Sequence, residues 1–187
     1  MLYHASPTKG ITTLLPHISN HDKPLVYLST KRENVLVYLS NAVEKHCRET
    51  GFAWNGPWYK WASYGFDNQG ILVLEEYYPH ALEETYRSVS GYLYSAEKSQ
   101  SAEPMKDIPH AYSSSQPVAV DGCEFIPDAY EALLKAEQDG QIVIRRYAEL
   151  SPNTLRWLER MIPQEYAKAA DHPDYQHFLR SKFAFLK

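Results

Sequence analysis

The residues of this chain that could do chemistry include eight histidines and two cysteines among 187 residues. Histidine binds metal ions, so the spacing of the histidines is the first test. His17 and His21 are four residues apart without a third ligand at a defined distance, and His172 and His177 are five apart. The sequence contains neither His-Glu-x-x-His nor Cys-x-x-Cys. We therefore expect no metal site.

Motifs for a nucleophile or for phosphate binding are also absent. There is no Gly-x-Ser-x-Gly elbow and neither of the glycine patterns that cradle phosphates. Cys47 falls in a predicted helix without an obvious catalytic partner. Two cysteines give no disulfide framework, and a single bridge between Cys47 and Cys123 remains open on the sequence alone.

The remaining feature is a histidine in a short apolar stretch, followed by two tyrosines. The apolar pattern predicts a first strand from Met1 to Tyr3 or His4 and a second from Leu25 to Leu28, which carries Tyr27. The motifs around them read LYHAS at residues 2–6 and VYLS at 26–29. Tyr38 comes 11 residues after Tyr27, in a predicted helix. A late strand candidate, CEFI at 123–126, supplies the carboxylate of Glu124. Each of these residues alone is more often structural, so only their order along the chain suggests a site.

These segments resemble the His, Tyr and Glu motifs of the ADP-ribosyltransferase group. This group includes diphtheria-toxin-like enzymes, poly-ADP-ribose polymerases and small bacterial rifampicin-modifying transferases. In its members the first-strand histidine is usually followed by Gly, where this chain has Ala5. The resemblance covers about residues 1–126 and leaves 127–187 as a helical C-terminal extension of a single domain, 1–187. It implies an α+β fold with a mixed, mostly antiparallel split sheet, flanking helices and extra C-terminal helices.

The resemblance also implies roles in binding NAD as a substrate. His4 would bind a ribose hydroxyl, Ala5 and Ser6 would hold the nicotinamide carboxamide region, and Tyr27 with Tyr38 would contact the nicotinamide ring. The catalytic set would be Glu124 with His4 and Tyr27. Glu124 would stabilise the positive charge that develops as nicotinamide leaves.

The function implied is transfer of ADP-ribose from NAD to an unknown acceptor. Two alternatives stay open: a catalytically inactive nucleotide- or protein-binding module on the same fold, and an NAD glycohydrolase. Ala5 favours the inactive alternative, because a Cβ limits how closely a ligand approaches the main chain. Trp54, Trp58 and Trp61 are candidates for an adenosine-side wall or for a partner surface between Phe52 and Trp61.

The predicted elements must bring these residues together. Thr30 and Glu33 form a capping box that predicts one helix. Its apolar residues fall on one arc of about 160°, with Tyr38 at the edge: Val35, Leu36, Tyr38, Leu39, Ala42, Val43 and His46. A second capping box, at Asp128 and Glu131, predicts a helix that ends near Gly140. Pro163 is expected to break or kink a C-terminal helix.

Composition excludes some classes of function. The net charge of -4 gives no overall field that would attract a nucleic-acid backbone, so we predict no general nucleic-acid binding. No apolar run approaches the ~20 residues that span a bilayer. The sequence is therefore expected to give a cytoplasmic protein without a membrane partner.

Overall fold

The fold is described from a computed structural model of the chain, which covers residues 1–18, 23–56, 63–98 and 101–186. It divides into two compact units. The first comprises Met1–Leu39, Gly65–Val73 and Ser88–Val143, and the second comprises Ser40–Tyr64, Leu74–Arg87 and Ile144–Lys187. The residues of the predicted site all belong to the first unit.

The strands, in chain order, are β1 (Leu2–Ser6), β2 (Thr13–Leu14), β3 (Val26–Ser29), β4 (Ser63–Phe66), β5 (Leu72–Glu75), β6 (Gly91–Ala96), β7 (Glu103–Pro104), β8 (Ala111–Ser114), β9 (Val118–Ala119), β10 (Gly122–Ile126) and β11 (Ile142–Arg145). The α-helices are α1 (Ala42–Thr50), α2 (Ala81–Tyr86), α3 (Ala129–Gln138), α4 (Pro152–Lys168) and α5 (Pro173–Lys182). Two 3₁₀-helices span Glu33–Tyr38 and Tyr147–Glu149.

The main sheet of the first unit has six strands in the order β10-β6-β1-β3-β8-β7. Neighbouring strands in it run antiparallel. Strands β2 and β9 form a separate antiparallel pair, and β11, β5 and β4 form a third sheet. The prediction of an α+β protein with an antiparallel sheet is confirmed. Residues of the main sheet form an apolar cluster together with residues outside it: Leu2, Leu14, Val26, Leu28, Ala96, Ala102 and Val118.

The helix predicted from the Thr30 capping box is wrong in its extent. The residues form a 3₁₀-helix, Glu33–Tyr38, that starts without a side-chain cap, and then the separate helix α1. Between them Leu39 has φ −88° and ψ 77°, which interrupts helical hydrogen bonding. Ser40 and Asn41 follow, and both residue types compete with the helix for backbone hydrogen bonds.

Helix α3 follows the prediction at its N-terminus. Asp128 Oδ1 accepts hydrogen bonds from the amides of Tyr130 at 2.9 Å and Glu131 at 3.2 Å. These amides have no partner within the helix, so the carboxylate stabilises the first turn. Gly140, just past the end, has the positive φ of 70° that glycine adopts without strain.

In the second unit, helices α1, α2, α4 and α5 contribute to one apolar core. Pro163 does not break α4, which is continuous from Pro152 to Lys168, and the alternative of a kink stays a prediction. Ile162 before the proline and Ala169 just after the helix are both buried in this core, which stabilises α4 on both sides of Pro163. Among the described residues, none of the helices is long and apolar enough to cross a membrane.

Candidate functional site

Two residues of the predicted site, His4 and Tyr27, lie next to the point where the recorded pairing of two neighbouring strands of the main sheet ends. Strand β1 pairs with β6 along its whole length, from Leu2 to Ser6. With β3 on its other side, the recorded pairing is Tyr3 with Ser29. Beyond Tyr3 the side chain of His4 takes over the link between the two strands.

His4 bridges this separation by a single hydrogen bond. Its Nδ1 lies 2.9 Å from the carbonyl oxygen of Tyr27. A carbonyl oxygen can only accept, so Nδ1 carries the proton and, in the neutral ring, Nε2 is an acceptor. Burial lowers the pKa of His4 below its ordinary value, against the raising effect of the Tyr27 hydrogen bond and with a further lowering effect from His17. His4 is therefore neutral near pH 7, with Nε2 available to accept a hydrogen bond.

A cleft of ≈ 420 Å³ opens beside His4. This volume lies within the range of small-molecule sites. The described residues of its lining combine hydroxyl groups and imidazoles with apolar side chains, and none of these described residues is Lys, Arg, Asp or Glu: His4, Ser6, Thr8, Ile11, Thr13, Leu14, Leu15, His17, Leu25, Val26 and Tyr27. Apolar walls with a few polar atoms suit a flat ring attached to a group that carries hydroxyls. We call this space the His4 cleft.

Strand registers place Glu124 on the other face of the sheet. Glu124 on β10 lies opposite Leu93 on β6, and Leu93 lies opposite Ala5 on β1. Opposite residues share a face and successive residues alternate, so Glu124 and Ala5 share one face and His4 belongs to the other. Two strand spacings, about 10 Å, separate the backbones of Glu124 and Ala5.

Of the two tyrosines of the predicted site, Tyr27 belongs to the face of Glu124, and Tyr38 precedes a residue that packs on that face. Tyr27 is two residues from Ser29, whose partner Tyr3 shares the face of Ala5, so alternation assigns the Tyr27 side chain to that face. Gly91, also on this face, leaves room for Leu39, because a Cβ there would collide with the leucine side chain. Tyr38 precedes Leu39 and is 39% exposed. The predicted edge position of Tyr38 agrees with this exposure.

The Glu124 carboxylate forms a two-point ion pair with Arg32. Arg32 Nη2 lies 2.5 Å from Oε1, and Arg32 Nε lies 3.0 Å from Oε2. The hydrogen bond to Glu124 is the largest cause that raises the pKa of the Arg32 guanidinium. Side-chain exposures of 33% and 51% show that solvent reaches the pair. Arg32 immediately precedes the 3₁₀-helix that ends at Tyr38.

Two residues next to the site were missed by the sequence reasoning. Arg32 contacts Glu124 across 92 residues of chain, and Tyr94 contacts the loop after β1 across 86 residues. Nothing local in the sequence marks either contact, because each depends on how distant strands align. The alternation of residues 89–96, which predicts a strand, does indicate that Tyr94 lies on β6.

The tryptophans, possible metal ligands and cysteines singled out in the sequence can be placed only where they fall within the described residues. Trp54 is 37% exposed, whereas Trp58 and Trp61 lie outside the described residues, so the proposed aromatic wall stays a prediction. Within the described residues there is no group of three or more His, Cys, Asp or Glu side chains that could hold a metal ion. Cys47 and Cys123 are both free thiols, one buried and one exposed.

The chain was compared with known proteins at three levels. No family model, no curated protein and no solved structure matches it.

Proposed function

We propose that this protein is ADP-ribosyltransferase-like and binds NAD at the separation of β1 and β3. The observation that carries the proposal is the opening itself. The recorded pairing of β1 with β3 is limited to Tyr3 with Ser29, next to His4, the residue that the sequence motif singles out, and residues of both strands line a cleft of ≈ 420 Å³ there. Opening a sheet between neighbouring strands leaves main-chain groups for a ligand to contact.

The state of His4 supports binding of a ribose. A neutral imidazole with Nδ1 committed to Tyr27 offers Nε2 as an acceptor, and a ribose hydroxyl is a donor of suitable size. The apolar side chains Ile11, Leu14 and Val26 would contact the flat ring of NAD that is attached to this ribose. Among the described lining residues none is charged, so we do not assign the phosphates of NAD to them.

The face of Glu124 supports a transfer step. Departure of nicotinamide leaves positive charge on the ribose, and a carboxylate close to that carbon lowers the energy of the transition state. Glu124 shares its face with Ala5 and with the Tyr27 side chain, the partners proposed for the nicotinamide end. Arg32 would keep the carboxylate in place on the edge strand β10.

One observation favours the alternative of binding without transfer. Arg32 contacts both oxygens of the Glu124 carboxylate, so a substrate hydroxyl competes with the guanidinium for them. Ala5 also carries a Cβ, on the same face as Glu124, where the resembling enzymes have glycine. The two versions of the proposal share NAD binding and differ in the role of Glu124.

The test combines NAD binding with nicotinamide release. Wild-type protein is melted with NAD at 100 times the dissociation constant, where linkage stabilises it by about 2.7 kcal/mol, or roughly 5 to 10 °C. Nicotinamide release and transfer of labelled ADP-ribose are measured in parallel. No melting shift at millimolar NAD and no nicotinamide release would refute the proposal.

Glu124→Gln then separates the two versions. If Glu124 is catalytic, the variant keeps most of the melting shift and loses nicotinamide release. If the protein only binds, wild type releases no nicotinamide and the variant is silent. Release without label transfer identifies the glycohydrolase alternative. Glu83→Gln is the matched control, because it breaks a similarly exposed ion pair, Glu83 with Arg87 at 2.7 Å, in the second unit.

A further inference from the structure

We infer that Tyr94 is a positioning residue, whose hydroxyl holds the loop that forms one wall of the His4 cleft. The inference rests on the proposed function for its ligand, and on the structure for its geometry. Tyr94 lies on β6 directly opposite His4 on β1. Opposite side chains on one face are neighbours, so the two rings belong to one region of the sheet.

The Tyr94 hydroxyl makes two hydrogen bonds to the main chain of this loop. It donates to the carbonyl oxygen of Thr8 at 2.7 Å and accepts from the amide of Ile11 at 3.2 Å. Thr8 and Ile11 both line the His4 cleft. One buried hydroxyl thus satisfies a donor and an acceptor three residues apart in the wall.

Few other described contacts fix this segment of the wall. At its start the amide of Thr8 donates to Ser6 Oγ at 3.2 Å, and beyond its end the amide of Val120 donates to the carbonyl oxygen of Thr12 at 3.0 Å. Gly10 lies between Thr8 and Ile11 with φ 77°, in open space where an added Cβ would meet nothing. Ile11 also packs against the apolar cluster, so Tyr94 adds the hydrogen bonds that fix the main chain between Thr8 and Ile11 to a segment whose end is held by packing.

The tyrosine ring is itself rigidly placed. Tyr94 is 1% exposed, so its ring is packed before the hydroxyl reaches the loop. Replacing it by phenylalanine keeps this packing and removes only the two hydrogen bonds. The loop then loses its anchor while His4 keeps its bond to Tyr27. We expect ligand affinity to fall while the His4 side of the cleft stays in place.

The first arm of the experiment needs no ligand. Hydrogen exchange of the Ile11 amide is measured in wild type, Tyr94→Phe and Tyr92→Phe. The second substitution is the matched control, because it removes a hydroxyl from the same face of the same strand, two residues away. We expect exchange at Ile11 about tenfold faster in Tyr94→Phe and unchanged in Tyr92→Phe. Equal exchange in wild type and Tyr94→Phe would overturn the inference.

The second arm measures NAD affinity by melting shift and titration. Tyr94→Phe should weaken binding about tenfold. Ile162→Val, a buried change in the second unit, provides a control that lowers stability without touching the cleft. A wild-type affinity in Tyr94→Phe, together with faster exchange, would refute a positioning role. If wild type binds no NAD, the proposed function fails, while the exchange arm still decides whether Tyr94 holds the loop.

Discussion

Replacing His4 tests whether one imidazole nitrogen links β1 to β3 while the other binds the ligand. Three substitutions divide these roles. His4→Asn places an amide nitrogen where Nδ1 is, so it can still donate to the Tyr27 carbonyl. His4→Gln places its amide near the position of Nε2, where its oxygen can accept. His4→Ala removes both groups.

The structure sets the expected size of each effect. A net hydrogen bond of this kind contributes about 0.5–1.5 kcal/mol, and His4→Ala also loses packing of a half-buried ring. We therefore expect His4→Ala to lower the melting temperature by about 3 to 6 °C and His4→Asn by less than half of that. Loss of the Nε2 acceptor should weaken NAD binding about tenfold, or roughly 1.4 kcal/mol.

The assay is a melting series with and without NAD, followed by titration calorimetry on the folded variants. We expect His4→Asn to be nearly as stable as wild type yet weaker in binding, and His4→Gln to recover part of the affinity. If His4→Asn binds NAD as tightly as wild type, Nε2 has no role in the ligand site. If His4→Asn is as unstable as His4→Ala, the bond to Tyr27 is not what holds β1 and β3 together.

Three further predictions concern stability and reactivity. Burial lowers the pKa of both His4 and His46 below the ordinary value of 6.5. Just below pH 6.5 the unfolded chain therefore binds more protons than the folded protein. The contribution of these two groups to the free energy of unfolding is complete above about pH 6.5 and falls as the pH drops to the folded pKa values. Urea midpoints at pH 7.5, 6.5 and 5.5 check this, with a smaller slope expected in His4→Asn, and a midpoint that rises on acidification would contradict it. Asp128→Ala should destabilise the protein by about 1–2 kcal/mol through loss of the α3 cap and of the hydrogen bond that Oδ2 accepts from the Ser88 amide. Asp128→Asn keeps the capping oxygen and loses only the Ser88 bond, so it should lose less; equal urea midpoints for both variants would contradict the capping role. Finally, a thiol reagent should label Cys123 in the native protein and Cys47 only after unfolding, because Cys47 is buried and burial raises the pKa of its thiol; two equivalents of rapid labelling without denaturant would be inconsistent with this burial.

Local signals in the sequence were sufficient for the elements that carry the site. The apolar residues at the start of the chain predict the first part of β1, which continues to Ser6, and the residues around Asp128 predict the start of α3, since hydrophobic pattern and capping act over a few neighbouring residues. The prediction of a single helix after β3 was wrong, because the same kind of local pattern does not show where a helix is interrupted. Most residues of its apolar arc are buried, but Tyr38 in the arc is exposed and Val37 outside it is buried. Leu39 and the polar pair that follows interrupt the backbone. An arc of apolar residues does not report such a break.

Relations between distant strands could not be predicted in this way. Register decides that Ala5, Leu93 and Glu124 share a face, and a slip of one residue would reverse it. The ion pair of Arg32 with Glu124 and the hydroxyl contacts of Tyr94 follow from that alignment. No residue near Arg32 in sequence indicates its partner. The motifs therefore identify candidate residues, while the registers determine which of them can act on the same part of a ligand.

The opposed faces of His4 and Glu124 constrain how one ligand could use both. A compact ligand in the His4 cleft would contact His4 and leave Glu124 without a role, as in the version of the proposal that involves binding alone. An extended dinucleotide could reach both only by crossing the sheet where β1 and β3 cease to pair, beyond Tyr3. Ala5 and Tyr27 are positioned at that separation, Ala5 next to His4 on β1 and Tyr27 as the acceptor of the His4 hydrogen bond. Under the proposal, transfer therefore requires that NAD reach the face of Glu124 at this point, and otherwise the protein would only bind.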